Sequence, residues 1–266
     1  GDTDGDLATI GDQNLLEHAP EFICGGAMRS HRLRYVAGMK ANIEQYKEVD
    51  TPGDFVLQNS KLLKIRLSEG EIQAKKGSMV AYQGDVKFEY AGSGGIGRML
   101  KKATTGEGTS LMKMSGSGEV FLADQAQEIF LLHLENEEVT VNGANLLAFD
   151  SDIDWDIKKV SGGTSAMLSG GLFNTSLSGT GAVAVLSDGP PVMLEVGSVP
   201  TFADAQAAIT WSSGVQTSLK TEGTAKSMIG RGSGETLQMA FSGQGWVLVQ
   251  PSEGRPVVGA GRLRGG

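Results

Sequence analysis

The chain has 266 residues, with 23 basic and 31 acidic side chains, so its formal net charge is −8. This charge disfavours sequence-independent binding to nucleic acid or to anionic lipid, because both need a dense cationic surface. The single cysteine, Cys24, excludes an intrachain disulfide and fits a reducing compartment. No run of apolar residues approaches the roughly 20 needed to span a membrane, and the N-terminal residues are acidic. We therefore expect a cytoplasmic protein without a membrane span.

Residues 1–52 do not share the pattern of the rest of the chain. They end at Thr51-Pro52-Gly53, where proline and glycine favour a turn. Terminal segments of this kind are often poorly ordered unless something holds them in place. We expect a partly ordered N-terminal extension that recruits a protein partner.

A Ser-Gly-x-Gly sequence occurs three times in the rest of the chain, beginning at Ser115, Ser178 and Ser242. Each copy is followed by alternating apolar residues, which places their side chains on one face of a strand. These pairs are Val120 with Leu122, Val183 with Val185, and Val247 with Val249. Glycine supplies the backbone angles of a hairpin turn or a bulge, so each copy predicts a strand–turn–strand unit.

Two further sets of residues recur in the same order. One set comprises Gly77–Tyr82, Gly143–Phe149 and Gly197–Phe202, and these are followed by Phe88, Trp155 and Trp211. The other set comprises Met99-Leu100, Met167-Leu168 and Met228-Ile229, each in a loop rich in glycine, serine or lysine. Three sets in one order predict three repeat units, at about residues 55–123, 124–186 and 187–250.

The repeat units are expected to form one all-β domain over residues 53–254, followed by a flexible Gly/Arg tail over residues 255–266. The first two units open with strands that lead into acidic turns at Ser68–Glu71 and Glu135–Glu138. The third unit shortens this stretch to Val192–Val196. A unit of about 60 residues buries its own apolar face poorly, so neighbouring units must complete the core.

The pattern Gly92-x-Gly94-x-x-Gly97 matches a dinucleotide-binding fingerprint. That fingerprint requires a crossover helix after the third glycine, and here Gly106 breaks the chain after one turn. We interpret the segment as an inter-strand loop. The ending Arg262-Leu263-Arg264-Gly265-Gly266 resembles that of ubiquitin-like modifiers, but a flexible basic tail is the interpretation we favour.

The three histidines are His18, His31 and His133. One histidine in the repeat domain cannot build the ligand cluster of a metal-dependent β-helix enzyme, and alternation of His133 with Leu132 and Leu134 predicts that it faces outward. A metal set of His18, Glu21, Cys24 and His31 is an alternative, although its spacings match no recognised pattern.

Candidate catalytic residues are also few. Ser115, Ser178 and Ser242 recur as a set, which indicates a backbone role, since a nucleophilic serine needs an oriented base and one copy suffices. Asp150, Asp152, Asp154 and Asp156 alternate with apolar and small residues. We interpret them as a solvated strand face that discourages edge pairing, with a cation site as the alternative. We therefore expect no catalytic, cofactor-binding or metal-binding residues.

Several longer motifs resemble the altered-inheritance-of-mitochondria family of bacterial and mitochondrial TRAP-like proteins, named for the fold of the tryptophan RNA-binding attenuation protein. The residues that carry the resemblance are Leu57–Ile65, Lys75–Phe88, Ser169–Asn174 and Ser227–Glu235. The resemblance covers about residues 55–250. It implies an all-β, double-stranded β-helix-like sandwich of three pseudo-repeats, assembly into a trimer or ring, and, for mitochondrial members, a part in inner-membrane organisation. It brings no catalytic residues and no established ligand.

Two classes of function follow from these observations. The first is a non-enzymatic scaffold, a homo-oligomeric β-assembly that organises protein partners and covers its open sheet edges by association. The alternative is a small-molecule-binding regulatory module with its ligand held between β units or subunits. A cryptic metal-dependent enzyme that uses the strand from Asp150 to Asp156 is a third, weaker hypothesis.

Overall fold

A computed structural model describes residues 43–90, 111–158, 174–220 and 238–252. The chain divides into two bodies, residues 1–47 and residues 48–266. In the first body, the described part is a single 3₁₀ turn, Glu44–Tyr46, beside which Lys47 forms an ion pair with Glu44. The second body contains every strand of the described ranges, and no helix in those ranges is long and apolar enough to cross a membrane.

The described part of the second body has fourteen strands. They are β1 (Phe55–Asn59), β2 (Leu62–Lys75), β3 (Met79–Tyr90), β4 (Leu111–Leu122), β5 (Glu128–Asn142), β6 (Leu146–Asp150), β7 (Asp154–Lys158), β8 (Asn174–Ser187), β9 (Val192–Val196), β10 (Thr201–Asp204), β11 (Ala208–Ser212), β12 (Val215–Lys220), β13 (Gln238–Gly243) and β14 (Gly245–Val249). Alternating apolar residues explain their formation. In β2, for example, Leu63, Ile65 and Leu67 are all buried in the core.

The strands form two antiparallel sheets. The larger sheet has eleven strands, in the order β3-β4-β2-β6-β8-β5-β11-β14-β9, with β1 added on β2 and β7 on β8. The smaller sheet has the order β10-β13-β12. The prediction of an all-β fold is therefore confirmed, with strands that pair mostly across tens of residues rather than as adjacent hairpins.

The Ser-Gly-x-Gly sequences are not hairpin turns, and this prediction was wrong. Ser115 and Ser178 lie inside the continuous strands β4 and β8, whereas Ser242 lies where β13 passes into β14. The first glycine of each copy has a positive φ, at 119° for Gly116, 131° for Gly179 and 102° for Gly243. A single residue with such an angle bends a strand, whereas a hairpin turn would have to reverse it.

The predicted acidic turns are also bends within long strands. Glu69 and Asn136 have φ angles of 60° and 56° and lie inside β2 and β5. The pairing register shifts at both residues, opposite the glycine bends of β4 and β8. An extra residue on one strand and a glycine on the other allow both partners to bend together.

The third repeat unit was aligned wrongly from the sequence. Gly197–Phe202 was matched with Gly77–Tyr82, but residues 197–200 separate β9 from β10. Trp211 was matched with Trp155, but Trp211 pairs with Val247 and Trp155 pairs with Leu177. The cross-strand position that Trp211 holds opposite Val247 is held by Phe149 opposite Val183 and by Tyr82 opposite Val120.

Several sequence predictions concern residues outside the described ranges. These are the three Met-containing loops, Gly92–Gly97, His18, Glu21, Cys24 and His31, and the tail over residues 255–266.

Candidate functional site

An open pocket of about 470 Å³ lies where the bend of β5 meets the bend of β8. The wall on the β5 side runs from Asn136 to Val139 and faces Ser178 and Gly179 of β8. The other wall is formed by Ser212, Ser213 and the half-buried Trp246. The strand bends bring these residues together, since each bend turns backbone and polar side chains toward the same space.

Hydrogen bonds hold the polar wall of the pocket in place. The backbone N–H of Asn136 donates to Thr180 Oγ1 at 2.9 Å, and the backbone N–H of Trp246 donates to Ser212 Oγ at 3.1 Å. The indole of Trp246 offers a flat apolar surface beside these groups, which suits a ligand with one planar apolar part and one polar part.

Glu138 is the anionic group of the pocket with a shifted pKa. Its Oε1 accepts hydrogen bonds from Lys158 Nζ and from Ser176 Oγ, both at 2.5 Å. The bond from Lys158, and then that from Ser176, lower the pKa of the Glu138 carboxyl below its ordinary value of 4.5. The carboxylate therefore stays ionised at neutral pH and is already engaged by a cation.

The three repeated serines, which were interpreted from the sequence as having a backbone role, do not come together at this site. Ser178 lines the pocket, but Ser115 is paired with Glu71 and Lys87 inside the larger sheet, and Ser242 is paired with Gln216 in the smaller sheet.

The aspartate segment is broken by a turn. Asp150 ends β6, residues 151–153 form the turn, and Asp154 and Asp156 lie exposed on β7. Burial raises the pKa of the Asp150 carboxyl above its ordinary value of 3.8, while the N–H of Ala182, which donates to Asp150 Oδ2 at 2.6 Å, opposes the shift. His133 is exposed, as its alternation with leucine predicted.

No group of three or more His, Cys, Asp or Glu side chains within the described ranges is arranged to hold a metal ion.

Trp246 and Asn136 were missed as candidate residues by reasoning from the sequence. Trp246 directly follows the third Ser-Gly-x-Gly sequence, where the other two units have Glu119 and Ala182. This difference could have marked Trp246 as a candidate, because a tryptophan there replaces a charged and a small residue at the corresponding positions.

The fold and the pocket define an all-β protein of long, bent antiparallel strands. A family model described as "Mitochondrial biogenesis AIM24" matches residues 55–252. The chain belongs to this family, and the resemblance seen in its sequence motifs is confirmed.

A solved structure supports the same fold. Protein SPYM3_0169 from Streptococcus pyogenes matches with a TM-score of 0.61 and 22% sequence identity, over 74% of this chain and 92% of that chain. At this identity the likeness establishes the fold alone. No curated protein matches this chain significantly.

Proposed function

We propose that this protein is a non-enzymatic scaffold, a homo-oligomeric β-assembly that organises protein partners. The observation that carries the proposal is the distribution of exposed apolar side chains. In the described β strands and their turns, the large exposed ones lie on β3 and over β9–β10: Val80, Tyr82, Val192, Met193, Leu194, Val199 and Phe202. Apolar side chains concentrated at the outer strands of a sheet are a surface suited to association.

The proposed architecture is three TRAP-like pseudo-repeats, each a bent ribbon of three strands. The order of the larger sheet supports it, since β3-β4-β2, β6-β8-β5 and β11-β14-β9 each place a late strand between an earlier pair. The same register shift also occurs three times, at Met79/Ala81, Leu146/Ala148 and Ala208/Thr210. Repeat units that complete each other's cores are suited to building larger assemblies.

Two further parts of the proposal concern partners and location. Residues 1–52 are proposed to recruit a protein partner, while the cytoplasm is proposed as the compartment because the chain has one cysteine. The family description names mitochondrial biogenesis and no reaction, which agrees with a structural role.

Light scattering after size exclusion tests the oligomer. We expect a defined mass of more than one chain at micromolar concentration, and a strict monomer would contradict the proposal.

Pull-down from cell extract with the full chain and with a chain lacking residues 1–52 tests recruitment. Equal partner recovery by both would exclude the extension as the recruiting segment.

The second candidate function is a regulatory module that binds a small molecule in the pocket beside Trp246. The observation in its favour is the position of the pocket between β5–β8 and β11–β14, where two repeat units meet. Native mass spectrometry of freshly purified protein is expected to detect a retained molecule that is lost in Trp246→Ala and kept in Trp155→Ala, which alters a tryptophan outside the pocket. A bare protein mass in every sample would contradict this function.

A further inference from the structure

Two internal contacts of the larger sheet join consecutive repeat units in the same way. The second half of β2 pairs with β6, with Ile72 opposite Asp150, Gln73 opposite Phe149 and Ala74 opposite Ala148. The second half of β5 pairs with β11, with Val139 opposite Ser212, Thr140 opposite Trp211 and Val141 opposite Thr210. Both contacts are antiparallel and three residue pairs long. We call them the internal junctions.

The two internal junctions use equivalent positions. Leu146 and Ala208 stand opposite Val185 and Val249, the second apolar residue after each glycine bend. In both strands the register then shifts by one residue, so that Leu147 and Ile209 are the extra residues of the two bulges. The junctions therefore repeat in register as well as in strand order.

Each internal junction buries its bulge residue against the opening strand of the preceding unit. Leu147 is fully buried in the same core cluster as Leu63 and Ile65 of β2. Ile209 is fully buried in the cluster that includes Phe130 and Leu132 of β5. Both bulge residues therefore share a core cluster with alternate side chains of the opening strand of the preceding unit.

The strand β3 carries the same bulge, and among the described strands none pairs with its outer edge. Its register shifts between Met79 and Ala81, so Val80 is the extra residue. Val80 is 58% exposed, whereas Leu147 and Ile209 are 0% exposed. Tyr82 is 49% exposed, whereas its equivalents Phe149 and Trp211 are 0% and 2% exposed.

The opening strand of the third unit shows the complementary exposure. Val192 pairs with Val249 as Leu63 pairs with Leu122, and Leu194 pairs with Val247 as Ile65 pairs with Val120. Val192 and Leu194 are 60% and 36% exposed, whereas Leu63 and Ile65 are both 0% exposed. The side chains equivalent to those that share a core with Leu147 are therefore exposed at this end of the sheet.

We propose that β9–β10 of one copy of this chain binds β3 of a second copy, as a third junction with the register of the two internal junctions. The equivalent pairs are Thr201 opposite Gln83, Phe202 opposite Tyr82 and Ala203 opposite Ala81. Val80 of one copy enters between Val192 and Leu194 of the other. The partner is a second copy because β3 has the same pairing and bulge as β6 and β11, the strands that occupy this position at the internal junctions. Each chain carries one β3 and one β9–β10.

The junction rests on the proposed homo-oligomer and would be the surface that joins its copies. The contact is head-to-tail, because two different surfaces of the same chain meet. Association removes apolar side chains from water on both sides, which is the main favourable term for such contacts.

Disulfide trapping tests the register. In a Cys24→Ser background, one sample carries Ala81→Cys and a second carries Ala203→Cys. After mixing and mild oxidation, we expect a covalent dimer containing one of each as the major product. Ala81→Cys mixed with Lys61→Cys is the matched negative control, since Lys61 lies exposed in the turn after β1. Ala74→Cys with Ala148→Cys in one chain is the positive control, because these residues are paired at an internal junction.

Several outcomes would overturn the inference. A cross-link that forms only within one chain carrying both Ala81→Cys and Ala203→Cys would mean that the chain closes on itself. Absence of any Ala81–Ala203 product while wild type is oligomeric by light scattering would mean that the copies join elsewhere, and the proposed scaffold would stand without this junction. A monomeric wild type without the product would contradict both.

A second measurement does not depend on disulfide chemistry. Val80→Lys and Leu194→Lys each place a charge in the proposed contact at a position already exposed in the single chain, so folding should be retained. We expect association to weaken at least about tenfold, read by light scattering over a dilution series. Lys61→Glu, which alters a charge away from the contact, should leave the association unchanged. Unaltered association of both apolar-to-lysine variants would contradict the junction.

Discussion

Two of the glycines that bend the long strands, Gly116 and Gly179, differ in their surroundings. A Cβ at Gly116 would overlap the backbone oxygen of Asp85, whereas a Cβ at Gly179 would lie 3.3 Å from the oxygen of Asp152. Gly70, opposite Gly116, has open space around its Cβ position and no positive φ. Conformation and space together therefore predict a graded response to alanine at these positions.

Gly116→Ala is expected to lower the free energy of unfolding by about 1–3 kcal/mol, because it adds both backbone strain and a clash. Gly179→Ala should cost less, since its φ of 131° is strained but the backbone oxygen of Asp152, 3.3 Å from the added Cβ, need move by only a few tenths of an ångström. Gly70→Ala is the matched control and should be close to neutral. Urea denaturation measures all three, and equal losses at Gly116 and Gly70 would contradict this account.

Asp150 predicts a pH dependence of stability. Burial, the largest cause, raises the pKa of its carboxyl in the folded chain above 3.8, so the folded state holds the proton to higher pH than the unfolded state. Stability from this group is therefore greatest below pH 3.8 and falls as the pH rises through the raised pKa. Asp150→Asn lacks this decline, so its stability relative to wild type should increase over that interval. Urea denaturation at a series of pH values measures the difference, and a constant difference would contradict the assignment.

Reasoning from the sequence missed one residue because its environment is made by distant segments. Lys64 sits at an alternating position of β2 and is only 1% exposed, with its Nζ 3.2 Å from Glu48 Oε2 and 3.6 Å from Glu119 Oε1. Neither acidic partner is close to Lys64 in sequence. A buried lysine depends on such partners, and the alternation of a strand does not reveal them.

At the scale of elements, a cationic side chain fastens the segment before β1 to β2. Arg66 Nη1 donates to the backbone oxygens of Thr51 and Gly53, both at 2.6 Å, and Nη2 donates to Asp50 Oδ1 at 2.7 Å. Arginine suits this role because its planar donors reach several acceptors at once. Arg66 thus holds residues 50–53 at three points, in addition to the Val49–Gln58 hydrogen bonds and the Lys64–Glu48 ion pair.

Arg66→Ala is expected to release this segment, while the strands keep their pairing. Limited proteolysis should cut between residues 48 and 53 faster than in wild type, and the free energy of unfolding should fall by about 1 kcal/mol. Arg66→Lys should give an intermediate rate of cutting, because an ammonium group keeps the charge but loses the fork of donors. Cutting at the wild-type rate in Arg66→Ala would show that other contacts hold the segment.

Strand locations were readable from the sequence, but bends and register were not. The alternation of Val120 with Leu122 and of Val183 with Val185 gave the strands directly. The glycines between apolar runs were taken for turns, because a bend and a reversal have the same local composition. In the third unit, one bulge between Ala208 and Thr210 and the break over residues 197–200 displaced the alignment by several residues. The local sequence pattern is compatible with either register, and packing across the strands decides which one forms.

At the scale of the whole molecule, substitutions at equivalent positions are expected to change the free energy of unfolding by different amounts, because some of these side chains are buried and others are exposed. Leu147→Ala removes a fully buried side chain from an internal junction and should lower the free energy of unfolding by about 2–5 kcal/mol. Val80→Ala alters the equivalent residue of the first unit, which is 58% exposed, and should change it by less than about 0.5 kcal/mol in dilute protein.

Denaturation at low and high protein concentration separates these effects. The Val80→Ala effect should grow with concentration if its side chain is covered by a second copy, because association stabilises the folded state by mass action. The Leu147→Ala effect should be the same at both concentrations. A large Val80→Ala effect in the most dilute sample would mean that Val80 is already covered within one chain.

Lys64 and Arg66, which bind the segment of residues 48–53, lie on one of three strands with equivalent pairing. The equivalent positions are Leu131 and His133 opposite β8, and Met193 and Glu195 opposite β14, so no other unit has a lysine or arginine there. The attachment of residues 48–53 therefore occurs at one of the three equivalent strand positions. In the proposed assembly of copies, this attachment would recur once in each whole chain.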